Sequence, residues 1–427
     1  MSRLESTTDS CLGETLHRAT SPSGVEIALL RTPGYATASG HFGLRFGSTD
    51  TRFRGIDGAA VEVPDGSAHF LEHKLFEGRE EKVFDRFGKL GADFNGGTGF
   101  FETTYYFVSA GRFDECLEVL LDFVQHPLIT QERVDKEMGI IEQEVRMYED
   151  QPGFRSWMLL HRALYRRHPI RVPPGGFVDS VRATTAEHLQ KCFDAFYRPL
   201  NFKLALSGDF EPEAVLDKVE ALLDTDRPGS GARAPVDEIE TIAAPWLEEE
   251  FNVEQPRVTI GWRDRAGVGL GAAMLRRQQV SAFVMDLLFG VSSPFHEDLY
   301  LRGVIDDSFG AHYTCDASYG YAMASGRTDD PVRFADEVRG AVARFLQRGP
   351  RQDDLDRMVR AAWGGAVTSL QGPSALASAA LTASLEGYDP FAVFRIFQTI
   401  TRDEVAERAQ ELLDPGRMAV AVLRPKS

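Results

Sequence analysis

One stretch, Asp224–Glu238 (DTDRPGSGARAPVDE), cuts this chain into two pieces of similar length. Pro228, Gly229, Ser230, Gly231 and Pro235 fall there among charged residues, the composition of a solvated connector. Each flanking piece opens on strand-like segments and continues into long helical ones. In the first, GVEIALLRT, ASGHFGLRFGS and FETTYYFVS read as strands, while segments around Gly66–Gly78, Asp114–Gln125, Gln131–Tyr148 and Ala186–Tyr197 carry helical period or caps. Thr184-Thr185-Ala186-Glu187 forms a capping box ahead of the last helix. In the second, PRVTIGW and YGYAMASG read as strands, and Gly271–Leu288, Pro331–Gln347 and Asp353–Leu370 as helices. This order predicts an α+β fold with a domain at 1–225, a linker at 226–237 and a domain at 238–427, each a sheet packed with helices. The repeated order points to duplication, although no residue-level repeat accompanies it.

The chain has 427 residues, 43% of them hydrophobic, enough for two buried cores. Lys and Arg total 47 against 64 Asp and Glu, a formal charge of -17, which argues against nucleic acid or an anionic membrane as the main partner. The N-terminal residues lack the apolar stretch of a secretory signal, and no run of about 18 apolar residues could span a bilayer. Cys11, Cys116, Cys192 and Cys315 are widely spaced without CxxC pairing and read as reduced thiols, so the expected compartment is the cytoplasm.

The strongest chemical signal is Gly66-Ser67-Ala68-His69-Phe70-Leu71-Glu72-His73-Lys74-Leu75-Phe76-Glu77-Gly78. On a helix, four residues advance the angle by about 400°, so His69 and His73 project from one face, one turn apart. Two neutral imidazoles so placed can hold one side of a tetrahedral zinc ion. Glu72 is close enough to reach a water on that metal as general base. Gly66 and Ser67 suit a helix start and Gly78 a stop. Two packed, hydrogen-bonded histidines would look the same locally; a third ligand distinguishes the cases.

That ligand should come from another helix. In the segment Gln131–Asp150, Val134, Met138, Ile141, Val145 and Tyr148 form one apolar stripe. Glu137 and Glu144, seven apart, share a direction at its margin, where a half-buried carboxylate needs a partner. Glu142 and Glu149 mirror that spacing on the opposite flank, and helical geometry alone does not choose between the pairs.

The run Ala68–Gly78 resembles the zinc helix of the pitrilysin/insulinase family of inverzincin metallopeptidases, whose motif is H-x-x-E-H. In that family a second helix carries a Glu, an apolar residue four later and the ligand Glu seven later. The resemblance therefore implies zinc held by His69, His73 and Glu144, with Glu72 as general base and Glu137 as a supporting acid. It continues through Gly91–Thr98 and Phe100–Phe107, implying an edge strand that takes peptide substrate as an added strand, with contacts from Asn95, Gly96, Gly97 and Thr98. Locally, Asn95 could equally be a turn residue beside its glycines. Met147–Pro152, His168-Pro169 and Leu206–Phe210 extend the match.

What the resemblance implies overall is a zinc endopeptidase subunit whose two homologous domains, each a mainly antiparallel sheet with helices, form one half-shell of a clamshell chamber. Small unfolded polypeptides would be its substrates. Single-chain and homodimeric members carry an Arg and, seven residues later, a Tyr that hold the substrate carbonyl. Aligning Arg302-Gly303 places Leu299 and Asp306 there instead, and neither donates a hydrogen bond to an oxyanion at neutral pH. The expectation is a heterodimer with a homologous metal-less subunit supplying both groups. The alternatives are a homodimer in which Arg302 serves with Tyr313 or Tyr300, a metal-free peptide-binding scaffold, and a maturation protease for one precursor peptide. Gly267-Val268-Gly269-Leu270-Gly271 lacks the spacing of a nucleotide loop and reads as a connection.

Overall fold

The computed structural model describes residues 3–265 and 269–426, which leaves Gly267 and Val268 of the glycine-rich connection outside the described residues. The chain forms two compact units, each discontinuous in sequence. The first comprises Met1–Arg146, Val172–Pro235 and Val367–Pro390; the second comprises Met147–Arg171, Val236–Ala366 and Phe391–Ser427. A linear cut at 226–237 therefore separates the chain only in part, because one segment from each half belongs to the other half's unit. The connector is also less free than its composition predicts. Ala232-Arg233 pairs with Arg54 and Phe53, and Arg233 Nε sits 3.1 Å from Asp50.

In the first unit the strands are β1 (Glu5–Thr8), β2 (Thr15–Thr20), β3 (Glu26–Arg31), β4 (Ala38–Leu44), β5 (Arg52–Arg54), β6 (Ala60–Glu62), β7 (Asp93–Thr98), β8 (Thr103–Ser109), β9 (Phe202–Gly208) and β10 (Ala232–Arg233). Seven of them form a sheet in the order β1-β2-β3-β9-β4-β8-β7, parallel only between β3 and β9; β10-β5-β6 form a small second sheet. The second unit's sheet runs β11 (Trp246–Phe251), β15 (Met418–Pro425), β12 (Arg257–Arg263), β14 (Tyr319–Arg327), β13 (Gly310–Asp316), parallel only between β11 and β15. Both sheets are mainly antiparallel, as expected.

The first unit's helices are α1 (Ser67–Phe76), α2 (Val83–Leu90), α3 (Phe113–Gln125), most of α4 (Gln131–Glu149), α6 (Val178–Ala183), α7 (Ala186–Phe196), α8 (Pro212–Leu222) and α13 (Pro373–Glu386). The second unit's are α5 (Pro152–Leu164), α9 (Ala272–Phe289), α10 (Pro294–Leu301), α11 (Pro331–Arg348), most of α12 (Gln352–Ser369), α14 (Ala392–Thr399) and α15 (Arg402–Leu412). No helix among the described residues is long and apolar enough to cross a membrane.

Strand alternation sorts the first sheet's two faces. Phe42, Tyr105 and Phe107 are fully buried on the face that carries α1 and α3. His41 and Gly43 lie on the other face, under α13. Leu381 and Leu385 press so closely on Gly43 that a Cβ there would meet them at 3.1–3.2 Å. The second unit repeats the device: a Cβ on Gly261 of β12 would lie 2.8 Å from Leu160 of α5. Each exchanged helix thus docks on a strand glycine of the unit to which its own half of the sequence does not lead.

Candidate metal centre

α1 begins at Gly66, which has a φ of 84°. A Cβ at Gly66 would stand 2.4 Å from the Gly175 carbonyl oxygen, so both the conformation and the close approach require glycine. Phe70, Leu71 and Leu75 then enter the core with no exposed surface, each contributing about 1.5–3 kcal/mol. That burial fixes the helix's rotation and leaves His69 and His73 on the face toward α4. On α4, Val134, Ile141 and Val145 are buried, and the same rotation turns Glu137 and Glu144 toward α1.

His69 Nε2 lies 3.6 Å from Glu144 Oε1, and His73 Nε2 lies 3.3 Å from Glu144 Oε2. One ligand atom from each of the three residues falls within 4.8 Å of the others. Donors about 2.0–2.1 Å from a tetrahedral ion are spaced about 3.3 Å apart, so the spacing suits a small divalent cation. The donor set, two imidazoles and one carboxylate, has the borderline character that zinc prefers. Glu142 instead forms a two-pronged pair with Arg182, at 2.8 Å for each prong, and Glu149, half-buried, is not part of the three-residue cluster.

Glu137 Oε1 accepts from His73 Nδ1 at 3.2 Å. Glu137 is itself held by Lys74, a fully buried ammonium that also donates to the Arg133 carbonyl at 2.8 Å and pairs with Glu77 at 3.0 Å. The sequence reading missed Lys74. Its only local signal is Glu77 one helical turn later, facing the acid-rich α4. Burial alone would lower the pKa of His73, but hydrogen bonds to Glu137 and Glu144 outweigh it and lift the ring to about 9. The hydrogen bond from His73 holds Glu137 below the usual carboxylate range. The histidines, His69 first, hold Glu144 far below it.

Glu72 is 6% exposed and points beside this cluster; burial raises its pKa against the opposing pull of His69, Thr98 and His73. Thr98 Oγ1 donates to Glu72 Oε2 at 2.7 Å. This contact gives Thr98 a placement the sequence did not reveal, tying the acid to the strand that ends the sheet. β7 pairs only with β8, so one edge of Asp93–Thr98 carries no strand partner among the described residues. Gly96 lets β7 approach α1, since a Cβ would meet Phe76 at 2.8 Å, whereas a Cβ at Gly97 would meet nothing within 4 Å. Asn95 is exposed on this strand, its side-chain oxygen accepting from the Gly96 amide at 2.9 Å. Of the residues singled out from the sequence, His69, His73, Glu144, Glu137, Glu72 and Thr98 come together by direct contact or as one cluster, whereas Asn95, Gly96 and Gly97 lie along β7 beside them.

The family description "Insulinase (Peptidase family M16)" matches residues 57–173, and "Peptidase M16 inactive domain" matches residues 183–362. An uncharacterised zinc protease of Bacillus subtilis, YmfH, is 32% identical over 421 residues, covering 97% of this chain and 98% of its own. An uncharacterised zinc protease of Streptomyces coelicolor is 25% identical over 377 residues, 85% of this chain and 79% of its own. Among solved structures, an M16-like peptidase from Alicyclobacillus acidocaldarius superposes with a TM-score of 0.93 at 33% identity, covering 98% of this chain and all of the other. A protease from Helicobacter pylori shares the fold at a TM-score of 0.82 and 17% identity over the full length of both chains. The chain belongs to the insulinase family, peptidase family M16.

Proposed function

We propose that this chain is the metal-bearing subunit of a zinc endopeptidase acting on peptides or small unfolded polypeptides. The observation that carries the reading is the convergence of His69, His73 and Glu144 beside a buried Glu72. These three would hold zinc, which when bound supplies Lewis acidity for hydrolysis of an amide by water near neutral pH. Glu72 would take a proton from the attacking water and pass it to the departing amine, so that one water is consumed for each bond cut. Thr98 holds Glu72 by one oxygen and leaves the other for that transfer. The open edge of β7 would bind an extended peptide through its backbone, which makes few demands on sequence. Glu137, accepting from His73 Nδ1, keeps Nε2 as the ring's metal-binding nitrogen.

The test is Glu72→Gln. Wild type should hold about one zinc per chain and cleave a quenched peptide library. The variant should keep the zinc and lose activity by about 10²–10⁴-fold. Full activity in Glu72→Gln overturns the mechanism, and wild type that takes up no zinc overturns the site.

A second element of the proposal is a partner chain. Leu299 is buried in the second unit's core, and Asp306 is engaged by Ser308 and Arg327. Arg302 is committed to Asp298 and Glu337, and the Tyr313 hydroxyl donates to buried Asp264 at 2.6 Å. These engagements favour an arginine and a tyrosine supplied by a homologous metal-less chain.

A further inference from the structure

A trough of about 920 Å³ crosses the first unit's sheet on the face away from α1. Its floor is a stacked pair, His41 on Tyr106, with ring centroids 5.1 Å apart and planes 13° from parallel. Its wall is α13, which presents Ser374, Ser378 and Thr382, and Ser374 Oγ lies 3.4 Å from His41 Nε2. Burial holds His41 near a pKa of 4, so this ring is neutral at physiological pH.

The trough opens beside β7. Alternation on β8 turns Tyr105 and Phe107 toward α1 and turns Thr104, Tyr106 and Val108 into the trough. On β7, Asp93 and Gly97 line the trough, and Thr98, at the strand's end, borders it while its hydroxyl reaches Glu72. A peptide paired with the open edge of β7 would continue the pleat, so every second side chain would face the trough.

The lining decides which side chain fits. Val108 and Leu381 offer apolar surface for a long stem, and the Tyr106 ring offers a face for a cation. Asp93, Glu102 and Glu386 give three carboxylates against the single guanidinium of Arg45. We infer that this trough is a specificity pocket that takes a long basic side chain, arginine above lysine, from substrate positions facing away from α1. The inference rests on the peptidase reading for its substrate.

The experiment uses quenched peptides that differ only by arginine or alanine at successive positions, with the zinc-loaded chain and its Ser378→Trp and Asp93→Asn variants. Ser378 is exposed on α13, so its indole would fill the trough without entering the core. Wild type should favour arginine about tenfold in kcat/KM at alternate positions, with lysine intermediate. That ratio should collapse toward one in Ser378→Trp and fall severalfold in Asp93→Asn, a small change at an exposed strand position that tests the pocket should the tryptophan variant misfold. Fluorescence anisotropy of the same peptides, labelled, on the Glu72→Gln protein reads binding without turnover. A preference there supports the trough even if wild type cleaves nothing, a result that would sink the peptidase reading alone. Equal binding and cleavage of arginine and alanine peptides, a preference for aromatic side chains, or an arginine preference that survives Ser378→Trp overturns the inference.

Discussion

Glu137 Oε1 stands 3.2 Å from His73 Nδ1, while Glu144 stands 3.3 Å from the other nitrogen of the same ring. The two acids, seven residues apart on α4, therefore do different work: one meets the nitrogen turned toward His69 and the other orients the ring from behind. Glu137→Ala should weaken zinc binding by about 10–100-fold, measured by competition with a chelating dye, with activity recovered at high zinc. Glu142→Ala, which breaks only the pair with Arg182, should leave zinc affinity unchanged. Equal losses in both variants would mean that helix packing, rather than ring orientation, is being measured.

Thr98 offers a separable test, because it touches the acid and none of the three donors. Thr98→Val keeps the shape and removes the hydroxyl that donates to Glu72. Zinc content should not change, and kcat should fall by about tenfold, the value of one hydrogen bond to a charged group. Unchanged turnover would show that Glu72 is positioned by its burial alone.

The His69, His73 and Glu144 cluster was legible because its spacing rules are local. H-x-x-E-H on α1 and the seven-residue interval on α4 follow from helix period, and each helix's own apolar residues set its rotation. The choice of Glu144 over Glu142 needed more, since the periods are identical; Arg182, forty residues away, occupies Glu142 in the fold. The exchange of α5 and α13 was not legible. α13 buries Leu376, Ala377, Ala380, Leu381, Ala383 and Leu385, which spread around the helix instead of forming a stripe, and its docking partner is a glycine more than three hundred residues away. Long-range packing of this kind leaves no period to read.

That packing makes a stability prediction. Gly43→Val and Gly261→Val each put a branched side chain where Leu381 and Leu385, or Leu160, already lie. Each should cost about 1–3 kcal/mol in urea unfolding. Valine normally favours a strand, so a stabilised variant would contradict the docking described here.

Asp264 supplies a pH dependence. Its carboxylate is 1% exposed and receives Arg277 at 2.7 Å, Arg408, and the Tyr313 hydroxyl at 2.6 Å. Burial alone would raise its pKa, but these donors, Arg277 and Arg408 foremost, hold it below the usual carboxylate range. A folded-state value below the unfolded one means a stabilising contribution that is full above about pH 4 and lost as pH falls through the folded value. Asp264→Asn should therefore cost about 3–5 kcal/mol at pH 7, because buried Arg408 and half-buried Arg277 lose the carboxylate they share and only the exposed Glu411 remains beside Arg408. The gap between wild type and variant should narrow below about pH 4. A gap independent of pH would assign the loss to packing.

The last prediction concerns what the second unit does not offer. A side chain that stabilises a developing oxyanion must have a donor free to meet it, and removing one such donor typically costs about 10²–10³-fold in kcat. Leu299 has no donor and lies in the core, while Asp306 is an acceptor already engaged by Ser308 and Arg327. Arg302 could serve only by leaving Asp298 and Glu337, and Tyr313 only by giving up its 2.6 Å hydrogen bond to buried Asp264. The isolated, zinc-loaded chain should therefore be a slow peptidase. Addition of a homologous metal-less chain bearing the arginine and tyrosine should raise kcat by about 10²-fold or more. Arg302→Ala should leave that stimulated rate intact, since its two partners are surface acids of its own unit. Full activity of the isolated chain, abolished by Arg302→Ala or by Tyr300→Phe, would instead establish a self-sufficient enzyme whose arginine changes partners when substrate arrives.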